Sequence, residues 1–165
     1  MSPSDRIRKD RTKILKKWFH EVLESYPKQS RSMIALESDR FANPMGSTLN
    51  DGVEAILSVA IGDKSFEEAE LSIERLIKLK AIQEGQNGGQ LDFLFSLKKL
   101  LRQHLGVDAG KVEDLREFFE IEDRIDHITK TATSIFILSR EKILELQVSE
   151  IKNKTYMMRR LTGEG

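Results

Sequence analysis

Apolar residues recur every three or four positions along most of this chain, which is the spacing of one face of an α-helix. The first such stripe predicts a long helix that begins near Asp5 and is closed by Pro27. Its members are Ile7, Ile14, Leu15, Trp18, Phe19, Val22, Leu23 and Tyr26. The alternating β-branched runs typical of strands are absent from the sequence, so the pattern predicts an all-α fold built as a single helical bundle.

Residues that start and stop helices divide the middle of the chain. Ser65 followed by Glu68 forms a capping box, in which each side chain accepts a hydrogen bond from a backbone N–H of the first turn. The run from Gly85 to Gly89 tolerates positive φ and is the strongest break in the chain. The predicted helices are Lys28 to Leu36, a helix with the stripe Leu49 to Ala60, Phe66 to about Glu84, and Gln90 to Leu105.

The segment from Lys111 to Leu161 contains no proline and no glycine, which favours a long C-terminal helix. Its apolar residues first follow a heptad pattern that suits packing against a long partner helix. These residues are Phe118, Ile121, Ile125, Ile128, Ala132 and Ile135. Two ordinary core helices joined by a break near residues 107 to 130 are an equal alternative, since average helices are short.

The phase of this pattern changes after Ile135. The next three residues are apolar on every side of the helix, so the segment becomes fully buried there, bends, or passes from an internal contact to a second subunit. Apolar residues then resume in a shifted register. The candidate residues for a dimer or partner helix are Ile128, Ala132, Ile135, Leu144, Val148 and Ile151.

Composition excludes several classes of function. Lysine plus arginine and aspartate plus glutamate both total 27, so no global positive charge favours a nucleic-acid partner. The chain has no cysteine and therefore no disulfide, thiolate zinc site or cysteine nucleophile. No apolar run reaches the roughly 18 residues of a membrane span, and no signal peptide is recognised, so we expect a cytoplasmic protein.

Charge is nevertheless segregated along the sequence. The stretch from Asp5 to Lys17 is basic, and the stretch from Glu113 to Asp126 is acidic. The preferred interpretation of the basic stretch is a solvated helix face. The second is a surface that docks onto the acidic stretch of the same or another subunit. The third is a patch that binds an anionic membrane or a nucleic acid.

Histidine is a candidate ligand because its ordinary pKa lies near neutrality. The three histidines do not cluster, but His104 continues the apolar face formed by Leu94, Leu97 and Leu101. His104 is thus either a proximal haem ligand in a globin-like fold or, as favoured, a rim histidine one turn before the helix stop at Gly106. The sequence has no paired Glu-x-x-His motifs and no Gly-x-Ser-x-Gly elbow, so we predict no metal site and no enzyme.

The turn from Asp39 to Gly46 separates two predicted helices. Asn43 is placed to cap the second helix and Pro44 to occupy its first turn, because proline holds a helical φ and disfavours a helical residue before it. Phe41 is predicted to be buried, and Arg40 is free to pair with a carboxylate or an anionic ligand. Arg40, Phe41, Asn43 and His104 are therefore the candidate ligand-binding or partner-binding residues.

With this turn the chain resembles the RsbRD-type N-terminal domain of stressosome proteins that act as co-antagonists of the kinase RsbT. The resemblance covers nearly the whole chain. It rests on Trp18, Asp39-Arg40-Phe41-Ala42-Asn43-Pro44 with Gly46, Gly52, Lys80-Ala81-Ile82-Gln83, and Glu150-Ile151-Lys152-Asn153-Lys154. The loop after Gln83 departs from the family in being richer in glycine.

The resemblance implies a globin-like helical sensory domain that dimerises and passes a change of state to a STAS output domain. Because related input domains are globin-like without haem, it also weighs against His104 as a ligand. We expect residues 1–165 to form a single sensory domain without a STAS domain.

Two hypotheses for the function follow. The first is a non-enzymatic signalling module that forms a homodimer and binds a regulatory protein. The alternative is a sensor of a small ligand or haem, centred on a pocket between the helices.

Overall fold

The computed structural model describes residues 1–36, 43–83, 89–106 and 111–163, without the side chains of residues 33, 35 and 36. Over these ranges the chain is all-α and ends in a long helix, as the sequence predicts. The helices are α1 (Pro3–Lys9), α2 (Arg11–Glu24), α3 (Lys28–Leu36), α4 (Pro44–Ala60), α5 (Phe66–Ile82), α6 (Asp92–Leu105) and α7 (Val112–Thr162), with a 3₁₀ turn at Gly89–Leu91 before α6.

Local capping signals work as the sequence predicts. Asn43 caps α4 through a 2.9 Å bond from the Gly46 N–H to its side-chain oxygen, and Pro44 is the first helical residue. The Ser65 and Glu68 capping box is fully formed at the start of α5. Gly106 ends α6 at φ +49°, a left-handed conformation that glycine adopts readily. The predicted break from Gly85 to Gly89 lies largely outside the described residues.

The predicted first helix is wrong in one respect, because it is broken at Asp10. Asp10 adopts φ −102° and ψ 18° between α1 and α2. Two contacts with the end of α6 hold this break. The Asp10 carboxylate lies 3.0 Å from Nε2 of His104, and the Arg6 guanidinium donates to the carbonyl of Leu105. The pattern of apolar residues carries no information about such contacts with a distant helix.

The core lies between α4, α5 and α7, with α2 and α6 completing the bundle. Helices α4 and α5 approach closely at Gly52, where an added Cβ would lie only 2.5 Å from Cβ of Leu76. Trp18 is fully buried, and its indole N–H donates to the carbonyl of Phe93 at 2.8 Å. These contacts fix the positions of α2, α5 and α6 around the site described below.

The acidic stretch of α7 is paired by α6. Lys98 lies 2.8 Å from Asp126, and Arg102 lies 2.6 Å from Glu122. The basic stretch is used elsewhere, since Arg8 bonds to Asp63 at 2.8 Å. Arg8 of the basic stretch and Glu122 and Asp126 of the acidic stretch therefore pair with other residues and not with each other.

Helix α7 is a single helix of 51 residues, so the alternative of two shorter helices is wrong. At 1.5 Å per residue it is about 75 Å long. Among the described helices, no segment is long and apolar enough to cross a membrane.

Candidate functional site

Lys80 is the most unusual side chain in the bundle. It lies in the last turn of α5, it is only 1% exposed, and it occupies a position in the buried stripe that includes Ile73, Leu76 and Ile77. Lysine is almost never fully buried unless it is paired with an acid. The groups that surround its ammonium therefore decide how the buried charge is stabilised.

Neutral groups surround the ammonium of Lys80. Its Nζ lies 2.9 Å from Oγ of Ser25 and 3.1 Å from Oε1 of Gln83. It also lies 4.7 Å from the ring centroid of Tyr26 and 5.5 Å from that of Phe93. Aromatic faces attract cations, so these rings stabilise the ammonium in part.

The described residues provide no carboxylate within ion-pair distance of Lys80. Burial without an acid disfavours the charged amine and lowers the pKa of Lys80 to about 8. The same environment raises the pKa of Tyr26 to about 12. The charge on Lys80 is thus solvated by neutral acceptors but is not neutralised.

A cavity of about 710 Å³ adjoins this cluster between α2, the 3₁₀ turn and α6. Its volume lies within the range of small-molecule sites. Lys80, Ser25 and Phe93 form part of its wall, together with the apolar side chains of Val22 and Leu100. Further lining residues are Lys17, Glu21, Glu24, Gln90, Asp92, Ser96, Lys99 and Gln103.

Two buried polar atoms near this region have no hydrogen-bond partner within the described chain. They are the hydroxyl of Tyr26 and Oε1 of Gln90, whose side chains are 6% and 9% exposed. Gln90 lines the cavity. A buried polar group left without a bond costs free energy, so such groups point to an absent partner.

Two of the sequence-predicted ligand residues, Asn43 and His104, do not line this cavity. Arg40 and Phe41 lie outside the described residues. Asn43 uses its side chain in the fold, since Nδ2 donates to the carbonyl of Ile34 at 2.7 Å while the oxygen caps α4. The imidazole of His104 is partly exposed, does not line the cavity and pairs with Asp10.

No group of three or more side chains able to ligate a metal occurs in the part of the chain that the structure describes. For haem, the His104 nitrogen that faces a neighbour is already directed at the Asp10 carboxylate. The observed geometry matches the rim histidine predicted as the alternative to a haem ligand.

A second feature is the free end of α7. Every residue from 144 to 163 is exposed. Four apolar side chains there, together with one nearer the bundle, form a line that we call the outer seam. They are Ile137, Leu144, Val148, Ile151 and Met158, and each is at least 50% exposed.

The outer seam has heptad spacing. Ile137, Leu144, Ile151 and Met158 are seven residues apart, and Val148 follows Leu144 by four. At about 100° per residue, the seam lies roughly 130° around the helix from the stripe Phe118 to Ile135. The shift of register in the sequence is therefore a change from one face of α7 to another.

The first stripe belongs to the bundle itself. Ile128 and Ala132 are fully buried in the core of this chain, and Ile135 is partly buried against it. Their partner is this chain, so they are not available to a second subunit. Leu144, Val148 and Ile151, by contrast, are at least half exposed and do not belong to the core of the described chain.

Sequence reasoning missed Lys80 as a site residue. It appeared only in the residues that carry the family resemblance. The available signal was its spacing, because position 80 falls three residues after Ile77 and four after Leu76 on a buried face. Its partners Ser25 and Phe93 come from other helices and could not be inferred from that spacing.

Comparison with protein-family models, with curated proteins and with solved structures gives no match for this chain. Function is therefore argued from the Lys80 cavity and the outer seam.

Proposed function

We propose that this protein is a non-enzymatic signalling module that forms a parallel homodimer through the outer seam of α7. The observation that carries the proposal is one helix with two apolar faces. The face from Phe118 to Ile135 packs in the bundle, and the outer seam is exposed beyond it. A change in the bundle can thereby act on a dimer contact along a single continuous element.

A second copy of the chain fits the outer seam better than an unrelated partner. A heptad line is self-complementary, since in a parallel pair each seam residue faces its own copy. Exposed apolar residues along about 30 Å of helix need burial, because most helix stability comes from packing of an amphipathic face. Arg140 and Glu145 flank the seam at positions that face each other across a parallel pair, which adds two symmetry-related attractive contacts.

One contact joins the cavity region to α7. Arg140 donates from Nη1 to the carbonyl of Ala81 at 3.0 Å, and Ala81 directly follows Lys80. Arg140 lies between Ile137 and Leu144 of the outer seam. A shift at the end of α5 would therefore move or break this hydrogen bond at the point where α7 leaves the bundle.

A sensory role for the bundle is the second part of the proposal. The cavity beside Lys80 favours a small ligand, whereas the pairing of His104 with Asp10 gives no support to haem. The resemblance to RsbRD-type domains favours a regulatory protein as the eventual partner and a cytoplasmic location. The regulatory partner and the cytoplasmic location are thus proposed from the resemblance and not from the geometry.

Sedimentation equilibrium tests the homodimer. We expect a mass twice the 18.9 kDa of the chain at micromolar concentration. Replacing Leu144, Val148 and Ile151 together by glutamate should give a monomer, because like charges would face each other across the seam. The control is Leu146→Glu, which changes an equally exposed leucine on the other side of α7 and should leave the dimer intact.

A monomeric wild-type chain would contradict the proposed dimer. A triple variant that stays dimeric would place the contact elsewhere. Circular dichroism of each variant reports whether the bundle remains folded.

A further inference from the structure

We propose that the cavity beside Lys80 binds a small carboxylate that also carries a hydrogen-bond donor, as in a short hydroxy acid or amino acid. This inference rests on the sensory part of the proposed function and names its class of ligand. It does not depend on the dimer.

The anionic group of the ligand is inferred from Lys80. A buried charge is strongly unfavourable unless a counter-charge or several hydrogen bonds offset it. Here Ser25 and Gln83 supply only neutral oxygens, at 2.9 and 3.1 Å. A carboxylate entering the cavity would supply the negative charge that the described residues do not place within ion-pair distance of this lysine.

The donor group of the ligand is inferred from Gln90. Gln90 lines the cavity, and its Oε1 is a buried acceptor that has no partner among the described residues. A hydroxyl or ammonium on the ligand would satisfy it. An inorganic anion without a hydrogen-bond donor would leave Gln90 unpaired, so the site favours an organic acid that carries a donor.

The remaining wall fits a small, partly apolar molecule. Val22, Phe93 and Leu100 provide apolar surface between the polar groups. The lining holds three lysines, with Lys80, and three acids, so its formal charge is zero: Lys17, Lys80 and Lys99 against Glu21, Glu24 and Asp92. It offers no broad positive surface for a nucleic acid or another polyanion, so the site suits a single carboxylate.

Trp18 provides a direct reporter of this cavity. It is the only tryptophan in the chain. Its ring stacks on Phe93 with centroids 5.9 Å apart, and its N–H bonds to the Phe93 carbonyl. Because Phe93 lines the cavity, a bound ligand should change the fluorescence of Trp18.

The experiment titrates the full chain with a panel of hydroxy acids and amino acids of two to five carbons, using 3-hydroxybutyrate and butyrate as a matched pair. We expect a saturable change of Trp18 fluorescence with at least one member of the panel. Lys80→Met should weaken that binding at least tenfold, because it removes the ammonium while keeping an unbranched side chain only one atom shorter. Lys78→Met is the control, since Lys78 is exposed on the same helix and pairs with Glu74.

Gln90→Met is a second variant, placed in the 3₁₀ turn rather than in the core stripe of α5. If the donor contact is real, a hydroxy acid should bind several-fold more tightly than its unsubstituted counterpart, and this preference should disappear in Gln90→Met. Inorganic phosphate tests whether any anion suffices.

The inference is overturned if no member of the panel gives a saturable change, if binding survives Lys80→Met in folded protein, or if phosphate binds as tightly as the best acid. The mass from sedimentation is read in parallel. Loss of ligand binding with an intact dimer would refute the ligand site alone, and a monomer that binds the acid would refute the dimer alone.

Discussion

Lys80 keeps its charge inside the bundle through hydrogen bonds to Ser25 and Gln83 and through two aromatic rings. None of these groups neutralises it. The lowered pKa of Lys80 is the thermodynamic sign of that arrangement, because folding then favours loss of the proton.

The stability of the fold should therefore depend on pH through Lys80. Below pH 8 the amine is protonated in both states and the cost of burying it is fully present. Between about pH 8 and 10.5 the unfolded chain keeps a proton that the folded chain releases, so the free energy of unfolding rises. The whole difference corresponds to on the order of 3 kcal/mol.

Urea denaturation from pH 7.5 to about 9.5 measures this effect. Tyr26 limits the window, because its raised pKa lowers stability above about pH 10, where only the unfolded tyrosine ionises. Lys80→Met should lack the rise with pH, and Lys78→Met should retain it. A rise that is the same in all three proteins would show that Lys80 is not its source.

Residue-level prediction from sequence succeeded where the partner is local. Asn43 and Gly46, three residues apart, form the cap that their order indicates. The site at Lys80 could not be predicted in this way, because Ser25 is 55 residues away in sequence and contacts Lys80 only once α2 and α5 have packed. A lysine at a core-facing position was visible, but its surroundings were not.

At the scale of elements, the crossing of α4 and α5 depends on Gly52. An added Cβ would lie 2.5 and 2.6 Å from Cβ and Cδ2 of Leu76. Gly52→Ala should therefore destabilise the fold by about 1–3 kcal/mol through overpacking, even though alanine favours helix formation. Chemical denaturation checks this change.

Combining Gly52→Ala with Leu76→Ala supplies the control for that prediction. Leu76→Ala removes Cδ2 and Cγ, which would lie 2.6 and 3.0 Å from the added Cβ, and keeps only Cβ. The clash is thereby reduced, so the two changes together should destabilise less than the sum of their separate effects. Additive effects would show that α4 and α5 do not meet at this pair.

Within α7, Glu141 interrupts the outer seam. It lies four residues after Ile137 and three before Leu144, at a seam position that would face its own copy in a parallel pair. Glu141→Leu should remove that repulsion and add apolar contact, lowering the dissociation constant of the dimer at least tenfold, about 1.4 kcal/mol. Sedimentation at nanomolar concentration measures it.

Glu150→Leu is the matched control, because Glu150 is exposed on another face of α7. It should leave the dissociation constant nearly unchanged. An equal gain from both substitutions would indicate general hydrophobic association rather than a seam.

Helix identity followed from the sequence because periodicity and caps are local properties. The break at Asp10 did not follow from the sequence. It is held by two contacts with the end of α6, from Asp10 to His104 and from Arg6 to the carbonyl of Leu105. The length of α7 also remained open, because the absence of proline and glycine permits a long helix without requiring one.

At the scale of the whole molecule, the bundle and the free end of α7 form a single connected unit. The cavity lies beside Lys80, the next residue Ala81 accepts a bond from Arg140, and Arg140 lies next to the start of the outer seam. The sequence indicated a change of register after Ile135. Only the packed structure shows that one face is core and the other is exposed.

Cysteine cross-linking tests whether two copies meet in parallel along the outer seam. The chain has no cysteine of its own, so Val148→Cys introduces a single thiol. In a parallel pair the two Cys side chains would face each other, within the roughly 4.5 Å between Cβ atoms that a disulfide requires. Leu146→Cys places an equally exposed thiol away from the seam.

Mild oxidation followed by non-reducing electrophoresis gives the readout. The account predicts rapid, nearly complete cross-linking of Val148→Cys at low micromolar concentration and little cross-linking of Leu146→Cys. Equal cross-linking of both variants, or none of Val148→Cys, would contradict a parallel dimer through the outer seam.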